Sequence, residues 1–355
     1  MWIYYINLFS IFLYGILYSF MKNKTLKKTI IFIFTIQLVC LTGFRKYTVG
    51  VDTIQYYRWF GYLTNCNTNR FWEQSADKGA YIYKLLNYMI WKLGGSFQTV
   101  LFVMAIIAIV PVIYYIYKNS KNIFLSFFIY LSFNYYLYTL ITIRQSAAYG
   151  IILLSIDSIK ERKLLRFLIF VFIATGFHTS ALFFIPAYLL YNVWINWKSI
   201  VGFVLIAMTV WTTRVYIAKI IINNIFSDYT VEISNSYKYL LIHILILVFG
   251  LLVYKMYGVK KYNDYEKKNI DFIYMCMMMG ILLMIGCSVV SNALRIAYFY
   301  TIQIVVFVPN TISYISNKKI GFILQMGSFV LCLLVFEVFI KGFALQNMNY
   351  IPFWK

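Results

Sequence analysis

VLFVMAIIAIVPVIYYIY, residues 100–117, runs for eighteen positions without a charge. A helix needs roughly 20 mostly apolar residues to cross the hydrocarbon core of a bilayer. A transmembrane barrel would alternate apolar and polar residues instead, and this run does not alternate. A second run at 270–290 carries a single charge, Asp271. Outward from these two, the 355-residue chain is 62% hydrophobic and only 12% charged, with a mean hydropathy of +0.75. A soluble domain is about 25% charged, so this composition cannot coat a water-facing surface. The fold class is therefore all-α: a polytopic integral membrane protein with about 12 transmembrane helices, in the range of roughly 10–13.

Apolar length and lysine placement set the frame. The spans are expected near 2–20, 29–44, 97–117, 123–140, 143–159, 165–177, 179–191, 200–213, 240–257, 270–290, 296–315 and 320–340. The short loops at Lys22–Lys28, Lys118–Lys121, Lys160–Arg166, Lys198, Lys260–Lys268 and Lys318–Lys319 are basic and therefore cytoplasmic. Both termini then lie outside, with outer segments at about 45–96 and 214–238. The excess of 32 basic over 11 acidic residues reads as this positive-inside bias and not as nucleic-acid binding. The expected sixth and seventh spans are too short to cross alone and suit a broken, partly re-entrant pair. Gly79–Leu93 reads as an amphipathic helix on the outer face. Residues 1–355 are expected to form a single transmembrane domain.

The chemistry sits at the outer ends of spans. Arg144 opens the fifth span and Arg295 the eleventh, Arg45 follows the second, and Arg58 lies just after the Gly50-Val51-Asp52-Thr53 turn. Arginine grips phosphate through a planar fork and never loses its charge. Helix N-termini facing the same side favour an anion too. Together these suit a substrate with a pyrophosphate beside a lipid tail. An arginine near a helix end can also simply snorkel to water. His178, one of two histidines, lies between the two short spans, where proton transfer is feasible. Asp52 is the rival base, or else holds an arginine in place. Tyr47, Tyr56, Tyr57, Trp59 and Tyr298 could stack on sugar rings. Asp264-Tyr265-Glu266, which resembles an acidic metal–nucleotide-sugar pair, reads as a solvated loop. No phosphate loop, zinc-protease motif or nucleophile elbow occurs in the sequence, and neither a metal nor a cofactor is expected.

Five motifs in order then resemble a family. Phe44-Arg45 followed by Val49-Gly50-Val51-Asp52-Thr53 and Tyr56-Tyr57 resembles the Arg…Gly-x-Asp-Thr-x-x-Tyr signature of the EpsG family, the Wzy-like polysaccharide polymerases. The stretch from Lys78 to Asn87 is similar to that family's Gly-Tyr-x-x-Leu-Asn segment, with Asp77 standing about where a glutamate is usual. Ile143-Arg144-Gln145 with Ala148, Phe177-His178-Thr179-Ser180-Ala181-Leu182, and Arg295 with Tyr298-Phe299 resemble its remaining elements.

The resemblance implies a glycosyltransferase-type polymerase of the bacterial cytoplasmic membrane. Its substrate would be an oligosaccharide carried on undecaprenyl pyrophosphate, in contact with membrane lipid. The flippase and the chain-length regulator of the same pathway would be candidate partners. On this reading Arg144 and Arg295 stabilise the pyrophosphate, with Arg45 a third candidate. His178 is the base or orients the acceptor, and Asp52 is the runner-up. Arg58, Gln145, Thr53, Tyr56 and Tyr298 are further substrate-binding candidates. A flippase for lipid-linked oligosaccharide and an O-antigen ligase remain as alternatives.

Overall fold

The computed structural model describes residues 2–65, 68–74, 80–225, 237–257, 263–289, 294–344 and 348–355. Among these, every regular element is helical apart from one antiparallel bridge between Arg45 and Pro352. In chain order the α-helices are α1 (Trp2–Phe20), α2 (Lys24–Gly43), α3 (Thr53–Thr64), α4 (Thr68–Gln74), α5 (Tyr81–Lys92), α6 (Phe97–Asn119), α7 (Ile123–Ser132), α8 (Tyr138–Ile141), α9 (Ile143–Lys160), α10 (Leu164–Thr175), α11 (Ala187–Leu190), α12 (Trp197–Ile225), α13 (Tyr237–Tyr257), α14 (Asp264–Cys287), α15 (Leu294–Thr301), α16 (Ile304–Ser313) and α17 (Lys318–Ala344). A 3-10 helix, Thr179–Phe184, precedes α11. Eight stretches of the described chain are helical, long and apolar enough to cross a membrane, the 19-residue stretch Arg295–Ser313 taking in both α15 and α16. The shorter apolar helices Ile123–Ser132, Leu164–Thr175 and Thr179–Leu190 lie between them.

The chain divides into two compact units. The first comprises Met1–Ser155, Leu168–Leu182 and Ile323–Lys355. In it α2 packs along α6, α1 against α2 and α7, and α3 and α5 against each other. Ring contacts such as Tyr5–Phe336, Phe12–Phe329 and Phe128–Phe329 join α17 to α1 and α7. Polar side chains bond across the α1–α2 pair: the Gln37 amide nitrogen donates to Asn7 Oδ1 (2.7 Å) and Ser10 Oγ (2.8 Å), and Tyr14 donates to Gln37 Oε1 (2.8 Å). Such bonds tie helices together where water is scarce. The C-terminal tail returns to the end of α2, with the Lys46 N–H donating to Ile351 O (2.8 Å) and the Phe353 N–H to Phe44 O (2.9 Å).

The second unit comprises Ile156–Phe167 and Phe183–Phe322, and α14 is its hub, touching α11, α12, α13, α15 and α16. Asp271, buried in α14, accepts from the Ile195 N–H (3.0 Å) and the Tyr254 hydroxyl (2.8 Å). Its charge is answered by donors that also pin the 192–196 turn and α13.

Four expectations change. The helix expected at 200–213 runs on to Ile225, because residues 214–225 keep apolar side chains at helical spacing. The helix therefore takes up the first part of the segment expected outside at 214–238, and 226–236 lie outside the described residues. Asp264-Tyr265-Glu266 is no loop but the first turn of α14. Asn263 Oδ1 accepts from the Glu266 N–H (2.8 Å) and Glu266 Oε2 accepts from the Asn263 N–H (3.3 Å), a reciprocal cap. The stretch at 123–140 breaks into α7 and α8 at Asn134, whose φ of 68° is one that asparagine tolerates better than other side chains. Finally, Lys84 of the amphipathic helix is buried, its ammonium donating to Trp72 O (3.0 Å). Asp77, Asn292 and part of the 78–87 motif lie outside the described residues.

Candidate active site

Two residues of the first motif converge on one carbonyl, just ahead of the Ile143-Arg144-Gln145 motif. Leu140 O, at the end of α8, accepts from Arg45 Nη2 (3.2 Å) and from the Thr53 hydroxyl (3.1 Å). Arg45 Nη1 donates to Thr42 O, in the last turn of α2. Arg45 is fully buried, and burial pulls its guanidinium down to about 10, so it stays charged at neutral pH. Its charge rests on carbonyls at two helix C-termini, which carry partial negative charge. Gly50 has φ +92°, and a Cβ there would run into Leu140 O itself. The Gly50–Thr53 turn can therefore lie flat on the α8–α9 corner only as glycine. Arg45 and Thr53, two of the expected substrate-binding residues, fasten the start of α3 to the α8–α9 corner that presents Arg144.

Fastened this way, α3 turns Tyr56 and Trp59, one helical step apart, toward Arg144. The Arg144 guanidinium lies 5.2 Å from the Tyr56 ring, 5.5 Å from Trp59 and 5.7 Å from Tyr83 of α5. Each contact is a cation–π attraction worth about 0.5–2 kcal/mol, larger when desolvated, and Arg144 is 6% exposed. Tyr83 is no counter-ion: burial pushes its hydroxyl up, leaving a neutral phenol beside the cation.

Helix α5 is set by Gly176, the residue just before the Phe177–Leu182 motif. The Ile82 and Tyr83 N–H groups, at its first turn, donate to Gly176 O at 2.9 and 3.2 Å. A Cβ at Gly176 would collide with the Ile82 side chain. The turn after Gly176 carries His178, which is half-buried. Its Nδ1 lies 2.6 Å from Ser180 Oγ and 3.3 Å from the Ser180 N–H, which donates to it. Gln145, the neighbour of Arg144 on α9, donates from Nε2 to Ser180 Oγ at 3.3 Å. One step along α9 thus carries the chain from a caged cation to a histidine network.

Other expected residues lie elsewhere. Asp52 is half-buried at the N-cap position of α3 without a side-chain capping bond. Arg58 is exposed, on a face of α3 turned away from Tyr56 and Trp59. Tyr57 stacks on Tyr47 at 3.9 Å. Arg295 and Tyr298 lie on α15 of the second unit, the first half-buried and the second buried. Tyr83 and Ser180 carry no sequence signal of their own beyond sitting inside the motifs.

The arrangement of these motifs is matched by the EpsG family over residues 28–353. The chain belongs to the EpsG family. No curated protein and no solved structure matches it. EpsG-family proteins are Wzy-like polysaccharide polymerases, so membership makes this chain a multi-pass membrane polymerase of polysaccharide. In this EpsG-family chain the caged Arg144 and the Gln145–Ser180–His178 network lie one residue apart on α9. They combine a permanent charge, aromatic surface and a polarised imidazole.

Proposed function

We propose that the chain joins oligosaccharide repeat units carried on undecaprenyl pyrophosphate, at the outer face of the bacterial cytoplasmic membrane. In the reaction the bond between the donor's anomeric carbon and its pyrophosphate oxygen breaks. The electron pair leaves with the lipid pyrophosphate, and an acceptor sugar hydroxyl forms the new bond and gives up its proton. Pyrophosphate needs charge stabilisation more than protonation, and a fixed cation in a water-poor site supplies it without reorganising. Arg144 serves this role, and the motifs of the sequence assign Arg295 to the same pyrophosphate; His178, with Asp52 as the runner-up, serves the acceptor hydroxyl. Tyr56 and Trp59 hold Arg144 through its charge. Arg45 and Thr53 act as struts beneath the site.

The observation that carries this reading is a buried arginine walled by three aromatic rings, one residue from a histidine network, on the motifs of a polymerase family. About twelve crossings with both termini outside belong to this reading; the tail pairs with residues 44–46, which puts the C-terminus on the side to which α2 leads. The flippase and chain-length regulator of the pathway are the expected partners.

Deleting the gene in its host and resolving the surface glycan by gel tests the proposal. Collapse of the ladder to a single repeat unit is the expected result. Full-length polymer left on its lipid carrier would mean a ligase, and repeats trapped inside the cell a flippase; either result ends the polymerase reading.

A further inference from the structure

We propose that Ser180, held by Gln145, fixes the proton of His178 on Nε2, so that His178 meets substrate as a hydrogen-bond donor and not as the base. The argument starts from groups with only one possible role. A backbone N–H can only donate, and the Ser180 N–H is directed at His178 Nδ1 (3.3 Å). An amide NH2 can only donate, and that of Gln145 is directed at Ser180 Oγ (3.3 Å). Ser180 Oγ therefore accepts from Gln145 and has its own hydrogen to give. The near acceptor is Nδ1, at 2.6 Å. Every hydrogen in the chain then runs one way, from Gln145 through Ser180 to the ring. A proton on Nδ1 would face the Ser180 N–H head-on. A neutral imidazole that accepts at Nδ1 carries its hydrogen on Nε2.

Two of the three residues are buried, Gln145 at 3% and Ser180 at 8% exposed, so water competes little for these bonds. The backbone reinforces the arrangement. His178 N–H and Phe177 N–H both donate to Ala174 O (3.0 Å each), and Gly176 O is held by α5. The turn that aims the ring is thus fixed from both sides. Ser180 is a positioning residue: it acts through His178, much as a buried partner sets the tautomer of a catalytic histidine in hydrolase triads.

The role of His178 toward substrate rests on the polymerase reading; the position of its proton does not. In the transfer, the anomeric C–O bond breaks with its electron pair going to pyrophosphate, and the acceptor oxygen bonds the anomeric carbon. His178 Nε2–H hydrogen-bonds the acceptor oxygen, orients it and keeps its proton. The acceptor's proton goes to a carboxylate, for which Asp52 is the residue at hand in the motif.

The test uses the full-length protein, labelled with 15N-histidine, in lipid nanodiscs at pH 8. Only two histidines exist, His178 and His243, and His178→Asn assigns the signals by loss. The expected spectrum has the protonated nitrogen of His178 coupled to both ring C–H protons, as Nε2–H requires. It is retained in Ser180→Thr and becomes a tautomer mixture in Ser180→Ala. Gln145→Glu, which can only accept from Ser180, should draw the hydroxyl hydrogen away from Nδ1 and give the same mixture. A wild-type ring protonated at Nδ1, or a Ser180→Ala spectrum identical to wild type, overturns the proposal.

In a chain-growth assay, Ser180→Ala should lower kcat roughly 10-fold or more with KM for the lipid-linked donor little changed, and Ser180→Thr should restore it. Full activity in Ser180→Ala overturns the positioning role. Full activity in His178→Ala, with the Nε2–H spectrum of the wild type intact, would instead overturn the part of the polymerase reading that gives His178 to the reaction.

Discussion

Arg144 lies at 5.2–5.7 Å from three ring centroids, and that wall suits guanidinium better than ammonium. Guanidinium is planar, weakly hydrated and forked, whereas lysine offers a compact, strongly hydrated point charge. Arg144→Lys should therefore fold but lose most chain growth, with the loss in kcat and not only in donor KM. Retained activity would argue against two-pronged phosphate binding. Trp59→Leu removes one wall while keeping the site apolar, and Trp59→Phe keeps a ring. The leucine variant should lose activity that the phenylalanine variant largely keeps, read as chain length on a gel. Arg45 is a different kind of arginine. It is fully buried, its Nη groups on Thr42 O and Leu140 O, so its loss should lower the melting temperature before it lowers anything specific to substrate.

At the element scale, the site is built by two short corners and not by the long spans. The Gly50–Thr53 turn lies on Leu140 O and sets α3; the Gly176 carbonyl receives the first N–H groups of α5. Thr53→Val removes one donor from a buried carbonyl that keeps its Arg45 bond, and should cost about 1 kcal/mol, visible as a lower denaturation midpoint. Thr53→Ser should be close to wild type. Gly176→Ala forces the Ile82 side chain aside and with it the start of α5. A cost of about 1–3 kcal/mol is expected, together with reduced activity, because Tyr83 moves with α5. A double variant, Gly176→Ala with Ile82→Ala, makes room for the added methyl group. It should recover part of the activity, measured as polymer formed per enzyme.

For the whole molecule, the basic loops and the apolar spans make one topological statement. Cysteine-accessibility mapping should find Lys22–Lys28 and Lys318–Lys319 labelled only from the cytoplasmic side, and Lys46 and Lys355 only from outside. Lys46 Nζ donates to Lys355 O at 3.2 Å, so opposite labelling of these two would contradict the tail pairing as well as the orientation. Arg295 and Tyr298 belong to the second unit. Their assignment to the pyrophosphate is tested by Arg295→Lys in the same assay, where a loss of the same size as in Arg144→Lys is expected.

Much of this was legible in the chain alone. Apolar length requires only counting, because lipid forces every backbone group into a helix; the ends of α1 and α6 fall where the apolar runs begin or end. Lysine placement is local in the same sense, and so is the run of motifs that reveals the family. What a motif residue does is not local. Arg45 and Arg144 look alike in sequence, each an arginine at the outer end of a span. One is spent on two carbonyls and the other is held by three rings, because α3 folds back over the α8–α9 corner. Asp264-Tyr265-Glu266 reads in sequence as a solvated loop and is the capped first turn of α14. Tyr83, Ser180 and the Leu140 carbonyl could be found only once α5, the His178 turn and α9 were packed together, since hydrogen bonds and ring contacts between distant segments depend on distances that the order of residues does not contain.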